Sequence, residues 1–164
     1  MAETTADTYK GNRVVKYHFT KADGEEVIEY YNNIQLPKTN DTVSIVGSIS
    51  NITTAADKSA LKATITYNST LNGAYNNYTL AIAKSEASQS IDYMWINMDA
   101  WYAAGSYLGS DSVSNPSGTK VLILSADVSV PSNPFNYQIG SAESQHEYKN
   151  AGYADVSRPL SWSR

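Results

Sequence analysis

Ser90 to Tyr102, SIDYMWINMDAWY, holds two of the chain's three Trp and two of its three Met. In a strand, alternate side chains point to opposite faces. Ile91, Tyr93 and Trp95 then lie on one side and Met94, Ile96 and Met98 on the other. Both sides are apolar, which predicts a strand in the middle of a sheet with Trp95 in the core and a further layer, or a neighbouring subunit, on each face. Asn97 and Asp99 mark where that burial should end.

The rest of the chain suits such a strand. A length of 164 residues fits one domain with a core that needs no metal or disulfide support. Charged residues make up 17% of the chain, against a usual quarter, and Ser, Thr, Asn and 13 Tyr take their place, a mixture that favours strands and turns. There is no Cys, so no disulfide frame and no thiolate metal site. A formal net charge of −4 gives no general attraction to nucleic acid or to an anionic membrane. No apolar run approaches the roughly 20 residues of a membrane-spanning helix. The N-terminus carries acids where a secretion signal has Lys or Arg, and reads as a cytoplasmic start.

Taken in order, residues 1–12 read as an N-terminal arm, 13–130 as the sandwich body and 131–164 as an extended C-terminal arm. Asp23-Gly24 predicts a hairpin with a two-residue loop, pairing Lys21 with Glu26, Phe19 with Ile28, His18 with Glu29 and Tyr17 with Tyr30. Residues 43–51 alternate as a half-buried strand. In 60–68, Leu61, Ala63, Ile65 and Tyr67 should face inward. Asn72-Gly73 predicts a turn, 78–84 a strand and 85–90 a polar loop. Residues 101–112 are rich in small side chains and leave room for one helical turn. Asn115-Pro116-Ser117-Gly118 is a further turn signal. Thr119 to Val130 then places Leu122, Leu124, Ala126, Val128 and Val130 on one face, with Val121 and Ile123 extending burial to the other face at its start. No helical pattern of ten residues occurs. The expected fold is all-β: a single sandwich of jelly-roll or Greek-key type, with about seven to eight strands and two terminal arms.

Chemistry is sparse in this pattern. His18 opposite Glu29 reads as an exposed cross-strand pair, and His146 as part of a polar tail. Neither belongs to a zinc or hydrolase motif, and no glycine-rich phosphate loop occurs, so no metal and no cofactor is expected. Asp92, Asp99 and Asp127 lie on or beside the two most apolar strands. They are the only carboxylates considered for a glycosidase pair, although Asp at strand ends usually serves turns.

Two functional expectations follow. The first is a non-catalytic, self-assembling structural subunit of virion type, in a capsid, decoration, spike or tail role. It would be made in the cytoplasm without a signal and would contact copies of itself or other virion proteins. Its contacts would run through Phe135, Tyr137, Tyr153, Leu160 and Trp162, large side chains on a segment without alternation. The alternative is a carbohydrate-binding module that stacks sugar rings on Trp101 and Tyr102. Neither expects a membrane partner, and the acidic balance argues against nucleic acid.

Overall fold

The computed structural model describes residues 9–10, 13–37, 45–52, 64–132 and 135–164, with backbone alone for 9, 10, 13 and 45–52. Among these residues the order is β1 (Tyr9–Lys10), β2 (Arg13–Thr20), β3 (Glu26–Tyr31), β4 (Ile45–Ile52), β5 (Ile65–Ala74), α1 (Tyr75–Tyr78), β6 (Leu80–Ile91), β7 (Tyr93–Tyr102), β8 (Tyr107–Ser114), β9 (Lys120–Ser129), β10 (Ile139–Lys149) and β11 (Val156–Ser163). The strands form two antiparallel sheets, an all-β architecture compatible with a sandwich. The first runs β1-β2-β9-β6-β5-β4 with β3 beside β2, and the second runs β11-β10-β7-β8.

Apolar alternation explains the packing of the two sheets. Met94, Ile96, Met98 and Ala100 of β7 point inward and are fully buried, as are Tyr67 and Leu71 of β5, Ala81 and Ala83 of β6, and Val121 and Ala126 of β9. Burial of such side chains contributes about 1.5 to 3 kcal/mol each before ordering costs. A second, smaller apolar cluster of Val14, Ile34, Tyr75, Leu80 and Ile82 lies apart from this core.

The opening stretch does not form one strand. Ile91 ends β6 in the first sheet, Tyr93 begins β7 in the second, and the chain changes sheets at Asp92. Hydrogen bonds fix that corner. The Asp92 amide donates to Asn150 Oδ1 at 3.0 Å, its carboxylate accepts from the Ala151 amide at 2.9 Å and from Lys120 Nζ at 2.8 Å, and its carbonyl accepts from Asn115 Nδ2 at 3.1 Å. The break leaves Ile91 in the core but puts Tyr93 and Trp95 on the outer face of the second sheet, half-buried and with no layer over them among the described residues.

The hairpin register also differs by one residue. Phe19 pairs with Val27, His18 with Ile28 and Tyr17 with Glu29. Lys21 and Glu25 close the loop, through a Lys21 N to Glu25 O bond of 2.8 Å, leaving three residues that end on Gly24 at φ 91°. A three-residue loop of this kind needs a left-handed residue before the second strand, and Gly24 supplies it. His18 is consequently buried rather than exposed, and its Nε2 lies 2.7 Å from Glu26 Oε1 instead of facing Glu29.

Asn72-Gly73 is no turn but the interior of β5. The reversal comes at α1, where Asn76 and Asn77 take left-handed φ values of 53° and 55°, a conformation that Asn tolerates. Residues 85–90 continue β6, past an irregularity between Glu86 and Ile91, and residues 107–114 form β8 instead of a helical turn. At the start of β9 Val121 and Ile123 are both buried as expected, but the shift that pairs Ile91 with Val121 turns Val121 into the core beside Leu124 and leaves Leu122 half-buried. Leu61 and Ala63 lie outside the described residues, as do most of residues 1–12.

Residues 131–164 are largely strand and not an extended arm. β10 lies between β7 and β11, which makes it an inner member of the second sheet. Leu160 is 7% and Trp162 1% exposed, both in the chain's own core, with Tyr153 packed against that core. Phe135 and Tyr137, at 70% and 53% exposure, remain on the surface. The inner positions of β10 are Ala142, Ser144, His146 and Tyr148, which alternate in the structure but are too polar to announce it in the sequence.

Candidate functional site

The odd-numbered residues of β7 and β10 build the outer face of the second sheet. Along β7 these are Tyr93, Trp95, Asn97, Asp99 and Trp101, all half-buried, alternating with buried Met94, Ile96, Met98 and Ala100. Along β10, Ser141, Glu143, Gln145 and Glu147 stand beside them. Register sets the neighbours: Trp95 faces Glu147, Asn97 faces Gln145, Asp99 faces Glu143 and Trp101 faces Ser141. On the flanks, β11 adds Ser157, Pro159 and Ser161, while β8 adds Ser110, Ser112 and Ser114. At about 3.3 Å per residue, Trp95 and Trp101 stand about 20 Å apart on one face, with amides and carboxylates between them.

This face is recessed. One hollow of 320 Å³ is lined by Asn97, Asp99, Glu143, Gln145, Pro159 and Ser161 among others. A second, of 510 Å³, is lined by Trp101, Gly105, Ser141, Glu143, Trp162 and Ser163 among others. Glu143 and Ser161 line both, so the two hollows adjoin along the groove face, and the second includes Trp101. Several groups are already held in place. Tyr107 stacks edge-on against Trp101, with centroids 5.8 Å apart, and donates its hydroxyl to Asp99 Oδ1 at 2.7 Å. Gln145 Nε2 donates to Ser157 Oγ.

The other sequence candidates lie elsewhere. Strand alternation turns Tyr102 away from the Trp101 side; its ring meets Tyr137 edge-on at 5.7 Å, and Tyr137 stacks on Phe135 at 5.6 Å. Asp92 holds the sheet-changing corner. Asp127 accepts a 2.7 Å bond from the Tyr31 hydroxyl, and its amide donates to Asp111 Oδ2 at 2.9 Å. Of the three Asp considered for catalysis, only Asp99 reaches the groove, and its neighbour there is Glu143.

His146 is fully enclosed between the sheets. Its Nδ1 is 2.8 Å from Ser85 Oγ and its Nε2 2.8 Å from Ser144 Oγ. Burial lowers its pKa from 6.5 to about 4, so the ring is neutral at pH 7. Beside it, Tyr148 lies 2.5 Å from Ser69 Oγ, and burial pushes its phenol up to about 12 despite the opposing bonds from Ser69 and Ser85. The Ser85 and His146 contact has the atoms of a nucleophile and base, but no substrate reaches a fully buried ring. It serves as a polar seam that ties β6 to β10. Between β6 strand neighbours, burial lowers the pKa of Lys84 and raises that of Glu86, whose charged atoms are 3.8 Å apart.

Among the described residues no group of three or more His, Cys, Asp or Glu is placed to hold a metal, and no helix is long and apolar enough to cross a membrane. Comparison with protein-family models, with curated proteins and with solved structures finds no match. The site is therefore judged on its own chemistry. Sequence reasoning weighed Trp95 as a stacking residue but favoured its burial, and missed Glu143 and Gln145 altogether. The signal for Trp95 was the polar Asn97 and Asp99 on the same alternation. For β10 the signal was masked by the polar interior of Ser144 and His146.

Proposed function

We propose that the outer face of the second sheet binds carbohydrate, and that the chain is a non-catalytic glycan-binding module. The observation that carries this reading is the placing of two half-buried indoles on one strand face with Asn97, Asp99, Glu143 and Gln145 between them, the polar residues and Trp101 lining adjacent hollows. Sugar rings have apolar faces that stack on indole and rims of hydroxyls that need planar donors and acceptors. A row of aromatic, amide, carboxylate and aromatic side chains supplies both at a spacing suited to an extended chain. The groove is open along its length and flanked by small Ser side chains, which admits a polymer without clashing ends. Trp95 thus joins Trp101 as a stacking residue in place of Tyr102.

The test is retention of the purified protein on a panel of insoluble polysaccharides. Trp101→Ala is expected to weaken retention about tenfold or more, equivalent to about 1.4 kcal/mol or more, while cooperative thermal unfolding is kept because the half-buried ring lies outside the core. Equal retention of the variant on every glycan that holds the parent overturns the reading.

A structural-subunit role of virion type, on a jelly-roll or Greek-key body, is favoured by one observation of its own: the exposed stack of Phe135 and Tyr137 against Tyr102. Clustered exposed aromatics suit a protein contact. In that case Phe135→Ser with Tyr137→Ser shifts the mass in solution from oligomer to monomer, and a parent that is monomeric at all concentrations removes this role.

A further inference from the structure

We infer that Tyr107 is the positioning residue of this face: its ring fixes the plane of the Trp101 indole and its hydroxyl fixes the Asp99 carboxylate, so that a stacked sugar and the hydroxyl beside it meet groups already in place. The inference rests on the carbohydrate reading above and deepens it. Regular alternation along β8 would not put Tyr107 here. Ser110 stands on the outer face opposite Asp99, and Gly109, opposite Ala100, is turned inward, where a Cβ would lie 3.8 Å from Val128 Cγ1. Strict alternation would then send Leu108 outward and Tyr107 inward. The ladder instead shifts by one residue, so that Trp101 pairs with Tyr107 and Leu108 packs against the core. Bulges re-aim side chains in this way. The result is a tyrosine on the outer face that is 54% exposed.

Both parts of this side chain are engaged, each with a residue of the hollows. The ring meets Trp101 at 70° with centroids 5.8 Å apart, an edge-to-face contact that favours one orientation of the indole. The hydroxyl donates to Asp99 Oδ1 at 2.7 Å, a charge-assisted bond that holds the carboxylate in one rotamer. Asp99 and Trp101 stand about 7 Å apart on one strand face, and each lines one of the two adjoining hollows. With Oδ1 engaged, Oδ2 is the oxygen left open among the described residues, and an ionised carboxylate only accepts. The matching ligand is a glycan with a free hydroxyl next to the ring stacked on Trp101. Ordering two loose side chains on binding lowers affinity, and a surface ordered beforehand avoids that loss.

Retention is measured on insoluble cellulose, chitin, starch and xylan, with the thermal midpoint of each variant recorded beside it. On the polymer that holds the parent, Tyr107→Phe keeps the ring and loses the hydroxyl, and is expected to weaken retention about three- to tenfold; Tyr107→Ala, which also frees the indole, weakens it about tenfold or more. In an Asp99→Ala background, Tyr107→Phe should have no further effect, because the group that the hydroxyl positions is gone. Equal loss in both backgrounds means that the hydroxyl meets the ligand itself, which overturns the positioning role. Retention of Tyr107→Phe at the parent's level overturns it too, a lowered midpoint then marking a brace of the hairpin. In either case glycan binding still stands or falls with Trp101→Ala. Retention of the parent on none of the four polymers overturns both readings.

Discussion

Gly73 shows how a single residue can be misread. Followed by turn-like neighbours, Asn72-Gly73 has the composition of a hairpin loop, yet the chain uses the glycine for what it lacks. A Cβ at position 73 would lie 2.3 Å from Cζ3 of Trp162. Gly73→Ala is therefore expected to destabilise by about 1 to 3 kcal/mol, through overpacking of an indole that has no room to move. Thermal unfolding checks it, with an expected fall of about 2 to 4 °C per kcal/mol for a chain of this size. His146 is the second such residue. Its folded pKa of about 4 lies below its unfolded value of 6.5, so the stability it contributes is complete above pH 6.5 and is lost as pH falls toward 4. The loss is about 3 kcal/mol at most. Urea unfolding at a series of pH values should show that decline in the parent and a flatter profile in His146→Asn. A parent profile without the decline contradicts the enclosed, neutral imidazole.

Among the elements, β7 and β10 carry the molecule. β10 supplies half of the groove on its outer side and the His146 and Tyr148 seam on its inner side, and β11 brings Trp162 into the core. Removal of residues 131–164 is thus expected to abolish cooperative unfolding; a soluble, cooperatively folding body of 1–130 would show that the two strands are dispensable. Legibility in the sequence followed the polarity of the buried side. Where the inner positions are Met94, Ile96 and Met98, alternation is plain and the strand is found, although its apolar outer neighbours Tyr93 and Trp95 suggested a second covering layer. Where they are Ser144, His146 and Tyr148, the last two find partners in Ser85 and Ser69, far away along the chain, and no local pattern reports that. The hairpin at Asp23-Gly24 was legible as a hairpin, but the left-handed Gly24 closes a three-residue loop, which moved every pair by one position. The corner at Asp92 depends on Asn115, Lys120, Asn150 and Ala151, and a window of neighbouring residues contains none of those partners at once.

At the scale of the whole molecule, the two sheets divide the labour. The first is built on both of its sides around apolar or hydrogen-bonded groups, including the cluster of Val14, Ile34, Tyr75, Leu80 and Ile82 and the Tyr31 to Asp127 bond. The second is apolar only inside, and outside it offers aromatic rings, amides and acids in a groove. That asymmetry is why the fold class was visible from composition and turn signals while the site was not: a core is a statistical property of many residues, but the groove depends on which six or seven polar residues share a face. Intrinsic fluorescence reads that face directly, because Trp162 is enclosed at 1% exposure whereas Trp95 and Trp101 are half-buried on the groove side. The central measurement is a titration of tryptophan emission with soluble oligosaccharides of the polymer that the protein retains. A saturable change that is lost in Trp101→Ala, with cooperative unfolding kept, is the predicted result. An emission spectrum indifferent to ligand, in a protein that still holds the polymer, would place binding elsewhere and contradict the account.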